Sequence, residues 1–198
     1  MSSTFQIRAP QAAMRRTRFS LLALLPLLAL LAAPALAQSP PPSPCATPEH
    51  RQFDFWLGEW EVRGPAGKVA GTNRIARAFG GCVLHEQYDT GRGYSGSSFN
   101  IYDAGRGRWH QTWVDSSGLL LQLDGGLVDG RMVVEGETVG TDGTRTRHRI
   151  TWTPNPDGTV RQLWESTNAA GGWQVTFDGK YTRLAPPAPD RAAGEEDD

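Results

Sequence analysis

The sequence has only two cysteines and four histidines among its 198 residues, and no histidines stand at H-x-H or H-x-x-x-H spacing. A locally built zinc site is thereby excluded, because such sites draw on closely spaced nitrogen and sulfur ligands. Positive charge is scarce as well. The formal net charge is −1, and loss of the first 37 residues would remove four of the 20 basic residues and none of the 21 acidic ones. A chain of that sign lacks the field that a phosphate backbone requires, so nucleic acid is not an expected partner. The Gly-rich stretch "GRGYSG" (91–96) ends without the Lys-Ser/Thr pair of a phosphate loop and reads as a hairpin connection. No metal and no cofactor are expected.

What is present begins with an address. Arg15, Arg16 and Arg18 precede an apolar run from Phe19 to Leu36 that closes on Ala35-Leu36-Ala37, the basic, apolar and A-x-A parts of a secretory signal peptide. Pro26 and Pro34 interrupt that run and no charged stop-transfer flank follows, so no membrane span is expected after cleavage. The expected organisation is a signal peptide over 1–37, a flexible Pro/Ser linker over 38–47, one domain over 48–184 and a disordered acidic tail over 185–198. Periplasmic or secreted localisation follows. An even cysteine count in an oxidising compartment then predicts one disulfide, Cys45 to Cys82, with two buried free thiols as the alternative.

From Leu57 onward, Gly, Asp and Asn punctuate the chain every eight to twelve residues, with period-two alternation between them. That pattern predicts an all-β domain of ten strands, at about 57–63, 68–79, 82–90, 95–103, 107–115, 118–124, 131–139, 144–153, 159–167 and 173–183. Turns such as Asp129-Gly130 and Asp142-Gly143 are short enough to force antiparallel neighbours. An up-and-down sheet of this size either leaves two adhesive edges or closes, and a closed barrel is the expectation. One helix is predicted over 48–55, with Thr47 as N-cap and Pro48 in its first turn, plugging one end.

The stretch "FDFWLGEWEV" (53–62) contains Gly58-Glu59-Trp60 at the start of the first strand, and this Gly-x-Trp resembles the opening signature of lipocalin and calycin barrels. The resemblance implies that Trp60 packs across the closed end beneath a basic residue of the last strand, here Arg183, with Lys180 as the substitute. Together with "GGCVLHEQY", "SSFNIYD", "RWHQTWVDSSG" and "VRQLWESTN…GWQVTFDGKYTR", the domain is similar to a family of exported bacterial calycin-like barrels of unknown function. Nitrobindin-like haem barrels are more distantly similar, but residues 173–183 lack the histidine that those barrels use as haem ligand.

Alternation also nominates a lumen. Glu86 and Tyr88, then Trp109, Gln111 and Trp113, then His148 and Trp152, then Gln162 and Trp164 each share a strand face. Aromatic groups with few polar ones are the usual lining of a small-molecule site, so a small hydrophobic or aromatic ligand is the expected partner. His148 is the one lumen-facing residue that could hold haem. Two other readings stand beside ligand binding: an enzyme using Glu86 as general acid or base, and a packed barrel acting as a protein-interaction module. Nothing in the sequence bears on oligomeric state.

Overall fold

Alternating burial drives every strand of this protein, and the result is a closed antiparallel barrel, described over residues 44–185 by a computed structural model. The strands are β1 (Gly58–Arg63), β2 (Val69–Ala78), β3 (Val83–Asp89), β4 (Ser95–Asp103), β5 (Arg108–Asp115), β6 (Leu120–Val128), β7 (Arg131–Val139), β8 (Arg145–Pro154), β9 (Val160–Thr167) and β10 (Trp173–Arg183). Each pairs with its neighbours in sequence, and β1 closes on β10 with Trp60 opposite Arg183. Closure removes both sheet edges. Residues 1–43, where a signal peptide and most of the linker are expected, and residues 186–198, where the acidic tail is expected, lie outside the described residues.

Two expectations need correction. The predicted helix over 48–55 is instead two 3-10 turns, Pro48–Arg51 and Asp54–Trp56. Thr47 caps no backbone N–H, because its hydroxyl pairs with Nδ1 of His50 at 2.9 Å. Phe53 leaves helical geometry (φ −103°, ψ 7°) between the turns, which sends its ring into the barrel. The sixth strand does not stop at residue 124. It continues to Val128, with Gly125 and Gly126 paired to Val134 and Val133, and the chain reverses at Asp129-Gly130, where both φ angles are positive.

The plug is built from the aromatics of the opening stretch. Phe53 stacks on Trp56 at 4.9 Å and meets Trp109 and Trp152 edge-on at 5.7 and 5.1 Å. Phe53, Trp56, Trp60 and Trp152 are all fully buried, and a ring of this size contributes about 1.5–3 kcal/mol when taken out of water. Trp60 donates its indole N–H to the carbonyl of Trp56 at 2.9 Å. Over its other side lies Arg183, with Cζ 4.2 Å from the ring centroid and Nη1 donating to the carbonyl of Leu57. Gly58 has φ +137°, and a Cβ there would stand 2.3 Å from Arg183 Nη1. Only glycine satisfies both the backbone and the arginine.

A disulfide joins Cys45 to Cys82 across 37 residues of sequence, tying the segment before the plug to the start of β3. Arg51 reinforces the junction by donating to the carbonyls of Cys45 and Gly81 at 2.6 and 2.9 Å. Among the described residues no helix is long and apolar enough to cross a membrane.

Candidate functional site

The plug fills one end of the barrel, and a cavity lies toward the other. This cavity of about 380 Å³ lies between the ends of β3, β5 and β9 and the starts of β6 and β10. Glu86, Gln111, Gln162 and Tyr181 form its floor, on the side nearer the plug. Leu119, Leu121, Ile150, Trp113, Trp164 and Phe177 supply its apolar walls, while Tyr94, Asp115 and Ser117 stand at the opposite end. Six of the nine residues nominated for the lumen line this space: Glu86, Tyr88, Gln111, Trp113, Gln162 and Trp164. Trp109 and Trp152 are instead consumed in packing against Phe53. His148 lies off the cavity lining, beside Trp164.

The floor residues belong to a continuous chain of buried hydrogen bonds. Tyr181 donates to Oε1 of Gln162, and Asn73 Nδ2 donates both to the Tyr181 oxygen (3.3 Å) and to Glu86 Oε1 (2.7 Å). Ser98 donates to Glu86 Oε2 at 2.6 Å. Asn100 Nδ2 in turn reaches Ser98 Oγ (2.9 Å) and the carbonyl of Leu84 (3.1 Å), and Gln111 Nε2 reaches Asn100 Oδ1 at 2.8 Å. The belt spans β9, β10, β2, β3, β4 and β5. Buried polar groups of this kind fix a single arrangement when satisfied, and within the belt one buried atom is unsatisfied: no protein donor among the described residues reaches Asn73 Oδ1.

Glu86 is the charged member of the belt, and both of its partners are neutral. Burial pushes its carboxyl up to about 7, against which the bonds from Ser98 and Asn73 act. Burial also holds the Tyr181 phenol well above its ordinary value, with Glu86 adding to the effect. Burial thus brings the Glu86 carboxyl close to neutral pH at the polar floor of the cavity.

Asp115 behaves differently. Burial alone would raise its carboxyl, but hydrogen bonds from Ser117, Trp113 and Tyr94 outweigh it and hold the group below the usual range. Tyr94 Oη and Trp113 Nε1 donate to Oδ2 at 3.0 and 3.1 Å, and the Ser117 N–H donates to Oδ1 at 2.8 Å. This charge is ionised and well satisfied, and it fixes the Trp113 ring along the wall. A Cβ at Gly96 would lie 2.2 Å from that ring, so the absence of a side chain there is what lets the indole lie flat.

His148 is neutral. Its Nδ1 accepts from Trp164 Nε1 at 3.2 Å, so the ring proton sits on Nε2 and points to Thr138 Oγ1 at 2.9 Å. Burial lowers its pKa. Both ring nitrogens are occupied, which leaves neither lone pair for a haem iron in this arrangement. His85 and His110 sit half-buried on the outer wall, where His85 stacks on Phe99 and His110 pairs with Asp124.

Several site residues escaped the sequence reading. Asn73 was marked by the alternation Gly71, Asn73, Ile75 against Thr72 and Arg74, a signal that could have placed it inside. Ser98 and Asn100 carried a misleading one, since the apolar residues of β4 are Phe99 and Ile101, yet Phe99 faces out and is 46% exposed. At the open end of β10 the register shifts between Val175 and Phe177, so Thr176 is an extra residue and both Thr176 and Phe177 reach the cavity. Period-two reading cannot foresee a bulge. Compared with known proteins, the chain matches no family model, and none of the curated proteins is significantly similar to it.

Proposed function

We propose that this protein is an exported, calycin-like barrel that binds one small hydrophobic or aromatic molecule in its lumen. The observation that carries the reading is the cavity itself: about 380 Å³ of space walled by leucine, isoleucine and aromatic rings, above a floor of ordered polar groups. Apolar walls supply affinity, and a few fixed hydrogen-bonding groups supply orientation. The disulfide suits an oxidising compartment, which supports the periplasmic or secreted address read from the first 37 residues. Asn73 holds two of the floor groups, Glu86 and Tyr181, by hydrogen bonds from β2, which supports an orienting role for the floor.

A titration with the neutral fluorophore N-phenyl-1-naphthylamine tests this. Saturable binding at one site, abolished in Ile150→Trp, is the expected result. Non-saturable partitioning, or binding that Ile150→Trp leaves intact, would remove the lumen as the site. A second reading, proton transfer by Glu86 on such a ligand, is favoured by the elevated Glu86 carboxyl inside the cavity. It requires turnover of a bound compound that Glu86→Gln abolishes without loss of fold.

A further inference from the structure

We propose that the lumen selects a small organic cation, a protonated or quaternary amine on an apolar or aromatic body, with its positive end seated against Glu86. The proposal rests on the lumen-binding reading above and names the chemical class of its ligand. Its basis is a charge asymmetry. On the outer wall, arginines pair with acids: Arg149 with Glu165, Arg161 with Asp178, Arg106 with Asp103 and Asp124. Among the described residues that line the cavity there is no Lys, Arg or His, while Glu86 and Asp115 both are carboxylates. Above pH 7, where Glu86 is ionised, an anionic ligand would meet two like charges and no counter-charge in a low-dielectric space.

Glu86 is the better anchor of the two. Asp115 already accepts from Tyr94, Trp113 and Ser117, whereas Glu86 accepts one bond on each oxygen, from Asn73 and Ser98, and retains a second lone pair on each. A buried carboxylate with only neutral partners is costly, and a bound cation is the group that offsets that cost. Six of the 15 lining residues are aromatic, including the Tyr94, Tyr88 and Phe177 rings, which follow one another edge to face at 6.3 and 6.4 Å. Aromatic faces attract a desolvated ammonium and repel a carboxylate. A bare metal ion is a poor fit, because among the described residues no three His, Cys, Asp or Glu side chains converge. The elevated Glu86 carboxyl agrees with this assignment, since it marks a site that resists negative charge until a positive partner arrives.

The test isolates charge from shape. Benzyltrimethylammonium and neopentylbenzene share one outline and differ by a single positive nitrogen in place of carbon; phenylacetate supplies the anion. Calorimetric titration of the full chain at about pH 8.5, where Glu86 is ionised, should show the ammonium binding about tenfold or more tighter than its carbon isostere, and phenylacetate not binding. Glu86→Gln should bring the ammonium down to the affinity of the isostere, and Glu86→Asp should retain part of the difference. Equal or tighter binding of neopentylbenzene in the unmutated protein would overturn the cation assignment while leaving lumen binding standing. Preference for phenylacetate would do the same. If none of the three binds, the cation assignment and the lumen-binding reading fall together. The comparison of isosteres needs no variant, so a Glu86 variant that fails to fold does not rescue the idea.

Discussion

Asn73 Nδ2 donates to Glu86 Oε1 at 2.7 Å from the neighbouring strand, and the two side chains are 2% and 3% exposed. An amide can orient a carboxylate but cannot neutralise it. The pair therefore holds Glu86 in a place where ionisation is costly and leaves Asn73 Oδ1 without a donor. The first of these facts gives the fold a pH dependence that belongs to Glu86.

Glu86 should make the protein less stable as pH rises. Its carboxyl titrates at about 7 in the folded chain and near 4.5 when unfolded, so between those values the folded state holds the extra proton and unfolding releases it. Its contribution is intact below pH 4.5 and falls by about 3 kcal/mol by the time pH passes 7. Glu86→Gln lacks this dependence. Glutamine can accept from Ser98 on its oxygen and, once the Asn73 amide turns over, donate to Asn73 Oδ1. Urea unfolding at several pH values should show the variant gaining on the parent as pH rises; parallel pH profiles would refute the assignment. Other acids titrate in both proteins and cancel in the difference.

The pairing of Trp60 with Arg183 makes a separate prediction. The guanidinium lies 4.2 Å over an indole that is fully buried, and it also donates to the carbonyl of Leu57 at 2.8 Å. Arg183→Gln should lower stability by about 1 kcal/mol, the usual scale of a cation over an aromatic face. Arg183→Lys should recover part of that loss, having charge but no planar fork. Chemical denaturation of the two variants decides it. A loss in Arg183→Lys equal to that in Arg183→Gln would assign the effect to the Leu57 hydrogen bond and not to the ring.

The barrel was legible in the sequence because its information is local. Turn residues at fixed spacing and alternating polarity define ten strands, and short turns leave only one order of pairing. The floor was less legible because it is a product of closure. Asn73 and Tyr181 are 108 residues apart and meet only when β1 is enclosed between β2 and β10. Ser98 and Asn100 gave no inward signal in the sequence, since burial of a polar pair makes sense only once Glu86 is beside it. Trp109 and Trp152 shared the right face but the wrong depth, because alternation gives the side of a strand and not the position of a plug. Phe53 decides that depth, through a backbone turn that the predicted helix would not have made.

Cavity shape can be tested at a residue that has no side chain. Gly96 lies on β4, and a Cβ there would meet Trp113 Cζ2 and Cη2 at 2.2 and 2.5 Å and the carbonyl of Val114 at 2.9 Å. The backbone contact cannot relax far, so Gly96→Ala must drive the indole off the wall and into the cavity. In moving, Trp113 gives up its 3.1 Å bond to Asp115, whose oxygens keep Tyr94 and Ser117. The fold should survive with a stability loss of about 1–3 kcal/mol, the scale of an overpacked core. Affinity for N-phenyl-1-naphthylamine should fall by about tenfold or more, since a displaced ring removes wall contact and volume together. Tryptophan emission should shift as well, because the Trp113 indole trades a carboxylate partner for the lumen. Unchanged probe affinity alongside that spectral shift would mean that Trp113 moves without narrowing the site, and the lumen wall would have to be placed elsewhere.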